Sequence, residues 1–219
     1  GHSVSLSADG ETVAIGSRLS DGNGTDSGSV RIFNWTGSVW QQQGLGIDGE
    51  AAGDLSGWFV SLSADGETVA IGSRVNDGNG TDSGHTRIYH WTGSVWQQLG
   101  LDIDGEAAGD KLGASVSLSA DGLTVAIGAQ HNDGNGNHSG HTRIYHWTGS
   151  AWQQLGLDVD GEANGDYSGW FVSLSADGQT VAIGASGNDG NGASSGHVRI
   201  YAWDGSAWNQ LGEDIDGEA

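Results

Sequence analysis

The chain has 219 residues, a formal net charge of −21 from seven Lys and Arg against 28 Asp and Glu, and 41 glycines with no proline, cysteine or methionine. So acidic a chain argues against a phosphate-binding face, and with it nucleic acid and anionic membrane partners, and points to cations or basic partners instead. Without cysteine there is no disulfide framework and no thiolate metal site, and no apolar run reaches the roughly 18 residues of a membrane-spanning helix, so membrane insertion is not expected.

The first element sets the pattern for the rest. Val4 to Gly16 reads VSLSADGETVAIG, and the same run returns at Val60 to Gly72, at Val116 to Gly128 with Leu123 in place of Glu, and at Val172 to Gly184 with Gln179 in place of Glu. The spacing is 56 residues each time and needs no gap. Apolar and polar residues alternate through VSLS, Asp-Gly stands where a hairpin reverses, and TVAIG is a β-branched run, which together read as two short antiparallel strands. A fixed period of this length is the mark of a repeat assembly. The chain therefore divides into units 1–56, 57–112, 113–168 and 169–219, the last stopping five residues short, and is expected to be one repeat domain or an excerpt of a longer array.

Each unit carries four strand candidates. In the second they are Phe59–Ser63, Glu67–Ser73, His85–Thr92 and Ser94–Leu101, followed by an acidic connection into the next unit. An apolar fraction of 35 % suits thin sheets packed on one another through ten tryptophans better than one thick core. The expectation is an all-β repeat protein of β-propeller type, with four 56-residue units that each form a four-stranded antiparallel sheet; a solenoid or stacked array is the rival. Units two and four open with Gly-Trp-Phe, at 57–59 and 169–171, where units one and three have Gly1-His2-Ser3 and Gly113-Ala114-Ser115, so odd and even blades should pack differently.

These residues resemble a known family. Gly57-Trp58-Phe59-Val60, then the hairpin, then Val69–Ser73 or Val125–Ala129, then Gly196 shortly before Val198-Arg199-Ile200-Tyr201, is similar to the FG-GAP repeat of integrin-α-like β-propellers, and most similar to a divergent branch among secreted and surface proteins of microbes and algae. The resemblance covers all four units. It implies blades of four strands in a ring of about seven, an adhesive or scaffold role, and a place outside the cell or at its surface. The sequence departs from the family in having four units, and in shortening the family's calcium loop between the first two strands to Ser63-Ala64-Asp65-Gly66, so calcium is not carried over at that position.

Calcium is expected on other grounds in the inter-unit connections. Asp102, Asp104, Glu106 and Asp110, and in the next unit Asp158, Asp160, Glu162 and Asp166, place carboxylates at alternate positions around a glycine bend, as an oxygen-seeking ion requires. The first unit has Gly46 where Asp102 stands. The competing reading is that Asp and Gly shape turns, and the same reading is preferred for the Asn76-Asp77-Gly78-Asn79-Gly80 loop and its copies. Asn23, Asn34, Asn79 and Asn137 head Asn-x-Ser/Thr triplets and would be glycan acceptors in a eukaryotic secretory route.

Arg31, Arg87, Arg143 and Arg199 occupy one column and are expected to anchor carboxylates of the same or the next blade. His85 and His90 share that strand five residues apart, hence on opposite faces, which argues against one metal between them. The pairs Trp35/Trp40, Trp91/Trp96, Trp147/Trp152 and Trp203/Trp208 flank a turn that brings each pair side by side, as inter-blade core or, in a lectin-like alternative, as a sugar-stacking platform. No HExxH or P-loop is present. Four near-equal copies leave no asymmetric site, so the sequence predicts a structural or adhesive module rather than an enzyme, with further copies of itself, a protein or a glycan as partner.

Overall fold

The computed structural model describes residues 1–218, and among them every regular element is a strand. The first unit forms β1 (Ser3–Leu6), β2 (Thr12–Ser17), β3 (Ser29–Trp35), β4 (Trp40–Gln42) and β5 (Ile47–Asp48). The second forms β6 (Phe59–Leu62), β7 (Thr68–Ser73), β8 (His85–Trp91), β9 (Trp96–Gln98) and β10 (Ile103–Asp104). The third forms β11 (Ser115–Leu118), β12 (Thr124–Ala129), β13 (His141–Trp147), β14 (Trp152–Gln154) and β15 (Val159–Asp160). The fourth forms β16 (Ser168–Leu174), β17 (Thr180–Ala185), β18 (His197–Trp203), β19 (Trp208–Gln210) and β20 (Ile215–Asp216).

Each unit is one antiparallel meander, β1-β2-β3-β4 in the first. The fourth strand is broken in two. Trp96–Gln98 pairs with the far end of β8, and after a Gly100 turn Ile103–Asp104 returns to pair with its near end, Asp104 opposite His85. The expected strand Ser94–Leu101 is thus shorter than the sequence suggests, and part of the acidic connection is strand rather than loop.

The sheets pack face to face because strand alternation gives each two apolar faces. On β7, Val69 and Ile71 point back into a cluster with Ala14, Ile32 and Ile47 of the first unit, while Ala70 points forward into a cluster with Val116, Leu118, Val125 and Ile127 of the third. The same division recurs at the third junction. Hydrogen bonds stitch the hairpin tips in register: Ala8 N–H donates to Ala64 O, Ala64 N–H to Ala120 O, and Ala120 N–H to Ala176 O, at 2.8–2.9 Å. The glycine ending TVAIG is required by this approach, since a Cβ on Gly72 would collide with the carbonyl of Gly113 in the next blade.

Candidate functional site

The most elaborate polar arrangement lies at the junction of consecutive blades. Residues two apart on a strand share a face, so His85 and Arg87 on β8 both face the first unit. There Arg87 Nη2 donates to the backbone oxygen of Asp48 at 2.8 Å, and its Nη1 lies 3.7 Å from Glu50 Oε1. His85 Nδ1 stands 3.7 Å from the other oxygen of Glu50 and 3.6 Å from Asp102 Oδ2. Gln98 Nε2 donates to Asp102 Oδ1 at 2.6 Å. The next junction repeats the set with Glu106, His141 and Asp158, and the third with Glu162, His197 and Asp214. In each group the three ligand-type atoms lie within 4.8 Å of one another.

The electrostatics follow from burial. His85 is 1 % exposed, and neither of its ring nitrogens has a hydrogen-bond partner. Burial first, and the Arg87 guanidinium second, hold the His85 imidazole down at about 4; burial and Arg143 do the same to His141. Both rings are therefore neutral at neutral pH. Burial raises the Glu50 and Glu106 carboxyls, with Arg87 and Arg143 opposing.

This geometry revises the expected calcium set. Asp102, Asp104, Glu106 and Asp110 do not converge: Asp102 joins the junction behind it, Glu106 joins the junction ahead, and Asp104 contributes its backbone oxygen to Arg143. Asp110 Oδ2 accepts from Ala107 N–H and Asn132 Nδ2, shaping its own turn. Asp158, Asp160, Glu162 and Asp166 are split in the same way. The cause is the broken outer strand, which fixes neighbouring acids on opposite sides of a blade. Sequence reasoning weighed the histidines of this column only against their own strand, as His85 with His90, and missed their acidic partners; the signal was available, because unit one has Ser29 in place of the histidine and Gly46 in place of the aspartate, both absent together.

Other singled-out residues have local tasks. Arg31, in the blade with no predecessor in this chain, is exposed, whereas Arg87, Arg143 and Arg199 are buried. Asn23 and Asn79 donate from Nδ2, the atom a glycan would occupy, to the backbone oxygens of residues 49 and 50 and of 105 and 106, so glycosylation there would remove a hydrogen bond. Asn34 Nδ2 donates to Thr12, and Asn137 is exposed in its loop. The Asp-Gly-Asn loops are satisfied internally, Asp77 Oδ1 accepting from Asp82 N–H. Trp91 and Trp96 lie 5.5 Å apart across their turn, and Trp96 Nε1 donates to Gln43 O of the preceding blade; Trp152 and Trp208 do likewise to Leu99 and Leu155.

A second feature lies where the first strands of all four sheets meet. His2, Trp58, Phe59, Arg74, Trp170 and Phe171 border a pocket of about 380 Å³, with Arg74 stacked 3.5 Å over Trp58 and Arg18 4.5 Å from the same ring. Here the repeats diverge: positions 2, 58, 114 and 170 are His, Trp, Ala and Trp, and positions 18, 74, 130 and 186 are Arg, Arg, Gln and Ser.

Residues 102–145 match the FG-GAP repeat family. No curated protein matches the chain. Among solved structures it is similar to a Bacteroides uniformis protein named as a 6-phosphogluconolactonase, with a TM-score of 0.63 at 12 % identity over 99 % of this chain and 55 % of the other. It is also similar to the periplasmic gluconolactonase PpgL of Pseudomonas aeruginosa, with 0.63 at 14 % over 99 % and 57 %, and to Kuenenia stuttgartiensis hydrazine synthase, with 0.57 at 13 % over 99 % and 49 %. The chain spans about half the length of each. These likenesses overturn the expectation that the chain is not an enzyme, because proteins named as enzymes share its fold. The argument from near-equal copies fails physically at the axis, where one pocket draws unlike residues from several blades. Residues 102–145 thus match one FG-GAP repeat, and the four blade-like sheets packed face to face give the chain an all-β repeat fold of β-propeller type.

Proposed function

We propose that the chain is a structural or adhesive repeat module, acting outside the cell or at its surface, whose two end faces dock onto a second copy to continue the stack of blades. One observation carries this reading: the end blades expose the positions that interior blades bury. Val4 and Leu6 are 70 % and 57 % exposed, while Val60 and Leu62, one repeat later, are 2 % and 8 %. At the other end Ile215 is 58 % exposed, against 6 % for Ile103. Because three interior junctions already join the corresponding surfaces, the outgoing face of the fourth blade matches the incoming face of the first except at Ser29 and Gly46, which stand where the other blades carry histidine and aspartate. The hydrogen-bond ladder agrees, since it continues with Ala176 N–H at one end and Ala8 C=O at the other. Two copies of four blades would close as an eight-bladed ring, within the range of known propellers. Light scattering coupled to gel filtration tests this: a particle of twice 22.4 kDa supports it, and a monomer at all concentrations refutes it. The tryptophan pairs favour the same reading over a sugar platform, because three of the four pairs pin one blade to the one before.

A second reading rests on the axial pocket. Its aromatic walls and the Arg74 guanidinium suit a small ligand with an apolar face and an anionic group, and the names of the lactonase neighbours suggest a sugar acid or its lactone. Calorimetric titration with gluconate, with Arg74→Ala as control, decides it: heat lost in the variant supports the pocket, and no heat in either protein removes it.

A further inference from the structure

We propose that each blade junction binds a divalent transition-metal ion of the Zn²⁺ class between the glutamate of one blade and the histidine and aspartate of the next: Glu50, His85 and Asp102; Glu106, His141 and Asp158; Glu162, His197 and Asp214.

Four observations converge on it. The first is spacing. His85 Nδ1 lies 3.6 Å and 3.7 Å from its two carboxylate oxygens, and His141 Nδ1 lies 3.6 Å and 3.9 Å from its pair. That is too far for a good hydrogen bond, but two ligands of a tetrahedral Zn²⁺ with bonds of about 2.1–2.2 Å stand roughly 3.4–3.6 Å apart. The second is the histidine itself. His85, His141 and His197 are buried with both ring nitrogens lacking hydrogen-bond partners, at a position where an unsatisfied polar group is costly, and Nδ1 is aimed at the acids.

The third observation is how the carboxylates are held. Gln98 fixes one oxygen of Asp102, Arg87 stands beside one oxygen of Glu50, and in both cases the other oxygen is turned toward His85. Outer-shell partners orient metal ligands in this way. The guanidinium approaches the far oxygen, so it sets the glutamate without taking the ion's place. The fourth is written in the sequence. In unit one the histidine is Ser29 and the aspartate is Gly46, so the two ligands on that strand pair are replaced together.

The donor set selects the ion. One imidazole nitrogen and two carboxylate oxygens, with water reaching the half-exposed glutamate as a fourth ligand, suit Zn²⁺ or Co²⁺. Ca²⁺ requires six to eight oxygens.

The test uses the metal-free chain titrated with Co²⁺ and Zn²⁺, read by visible d–d absorption and by native mass spectrometry. The expected result is three ions per chain, a tetrahedral cobalt spectrum displaced by Zn²⁺, and no displacement by millimolar Ca²⁺. His85→Gln should leave two ions and remove one third of the absorption. Asp102→Asn, at the half-buried rim, reads the same loss should the buried histidine variant not fold. Absence of the cobalt band from the folded protein, displacement by Ca²⁺, or retention of three ions in a folded Asp102→Asn or His85→Gln variant overturns the proposal.

Discussion

Leu6 and Leu62 are the same residue of the repeat in two environments, and truncating each to alanine separates folding from docking. Leu62, 8 % exposed, packs in the cluster between the first and second blades, so Leu62→Ala removes buried methyl groups and leaves a cavity that the two sheets cannot close. Such a change costs about 3 kcal/mol. Leu6 is 57 % exposed, and in an isolated chain Leu6→Ala should cost no more than about 0.5 kcal/mol. In a ring of two copies Leu6 meets the outgoing face of the partner's fourth blade, and there are two such junctions. Taking about 2 kcal/mol at each gives about 4 kcal/mol per ring, or roughly a thousandfold weaker association. Urea unfolding at high dilution reads the first quantity and sedimentation equilibrium the second. Equal destabilisation of the dilute chain by the two variants, or unchanged association of Leu6→Ala, would refute the reasoning.

Three further outcomes follow from matched positions. Gly72→Ala should destabilise by about 3 kcal/mol through collision with the Gly113 carbonyl, whereas Gly184→Ala, whose nearest neighbour stands 3.6 Å away, should leave the dilute chain unchanged and block association; denaturation midpoints and sedimentation distinguish them. Trp96→Phe should cost about 1–2 kcal/mol in urea unfolding of the dilute chain by leaving Gln43 O without its donor, while Trp40→Phe should cost little under the same conditions. His131, stacked on His138 and held down at about 4 by burial, then by Lys111, should titrate near that value by NMR. Its unfolded form binds a proton near 6.5 and its folded form only near 4, so the stability it contributes is complete above pH 6.5 and is lost as the pH falls from there toward 4. The melting temperature of His131→Gln should fall less than that of the wild type across that window.

The parts of this molecule readable from the sequence are those set by local chemistry. The alternation of VSLS, the Asp-Gly reversal and the β-branched TVAIG gave the β6–β7 hairpin to within a residue, because period-two burial and turn geometry act over a few neighbouring positions. The tryptophan pairs were legible for the same reason: Trp91 and Trp96 face each other across one turn. The break in the outer strand was not, since nothing in Gln98-Leu99-Gly100-Leu101 distinguishes a continued strand from one that leaves and returns. That break misled the reading of the acids. Asp102 and Asp104 look like companions two residues apart, yet the junction cluster joins Glu50, His85 and Asp102, far apart in sequence and in two blades. Only a comparison of columns, with Ser29 and Gly46 departing together, carried a trace of it. The unlike unit openings, His2 and Ala114 against Trp58 and Trp170, were legible as a packing difference between odd and even blades, but nothing local in them says that they border one pocket.

Electron-microscopic class averages of the purified chain test most directly whether its two end faces are one junction waiting to form. The account predicts closed rings of eight blades, with Leu6→Ala shifting them to arcs of four. Arcs of four blades in the wild type, at concentrations well above those of the light-scattering experiment, would contradict it.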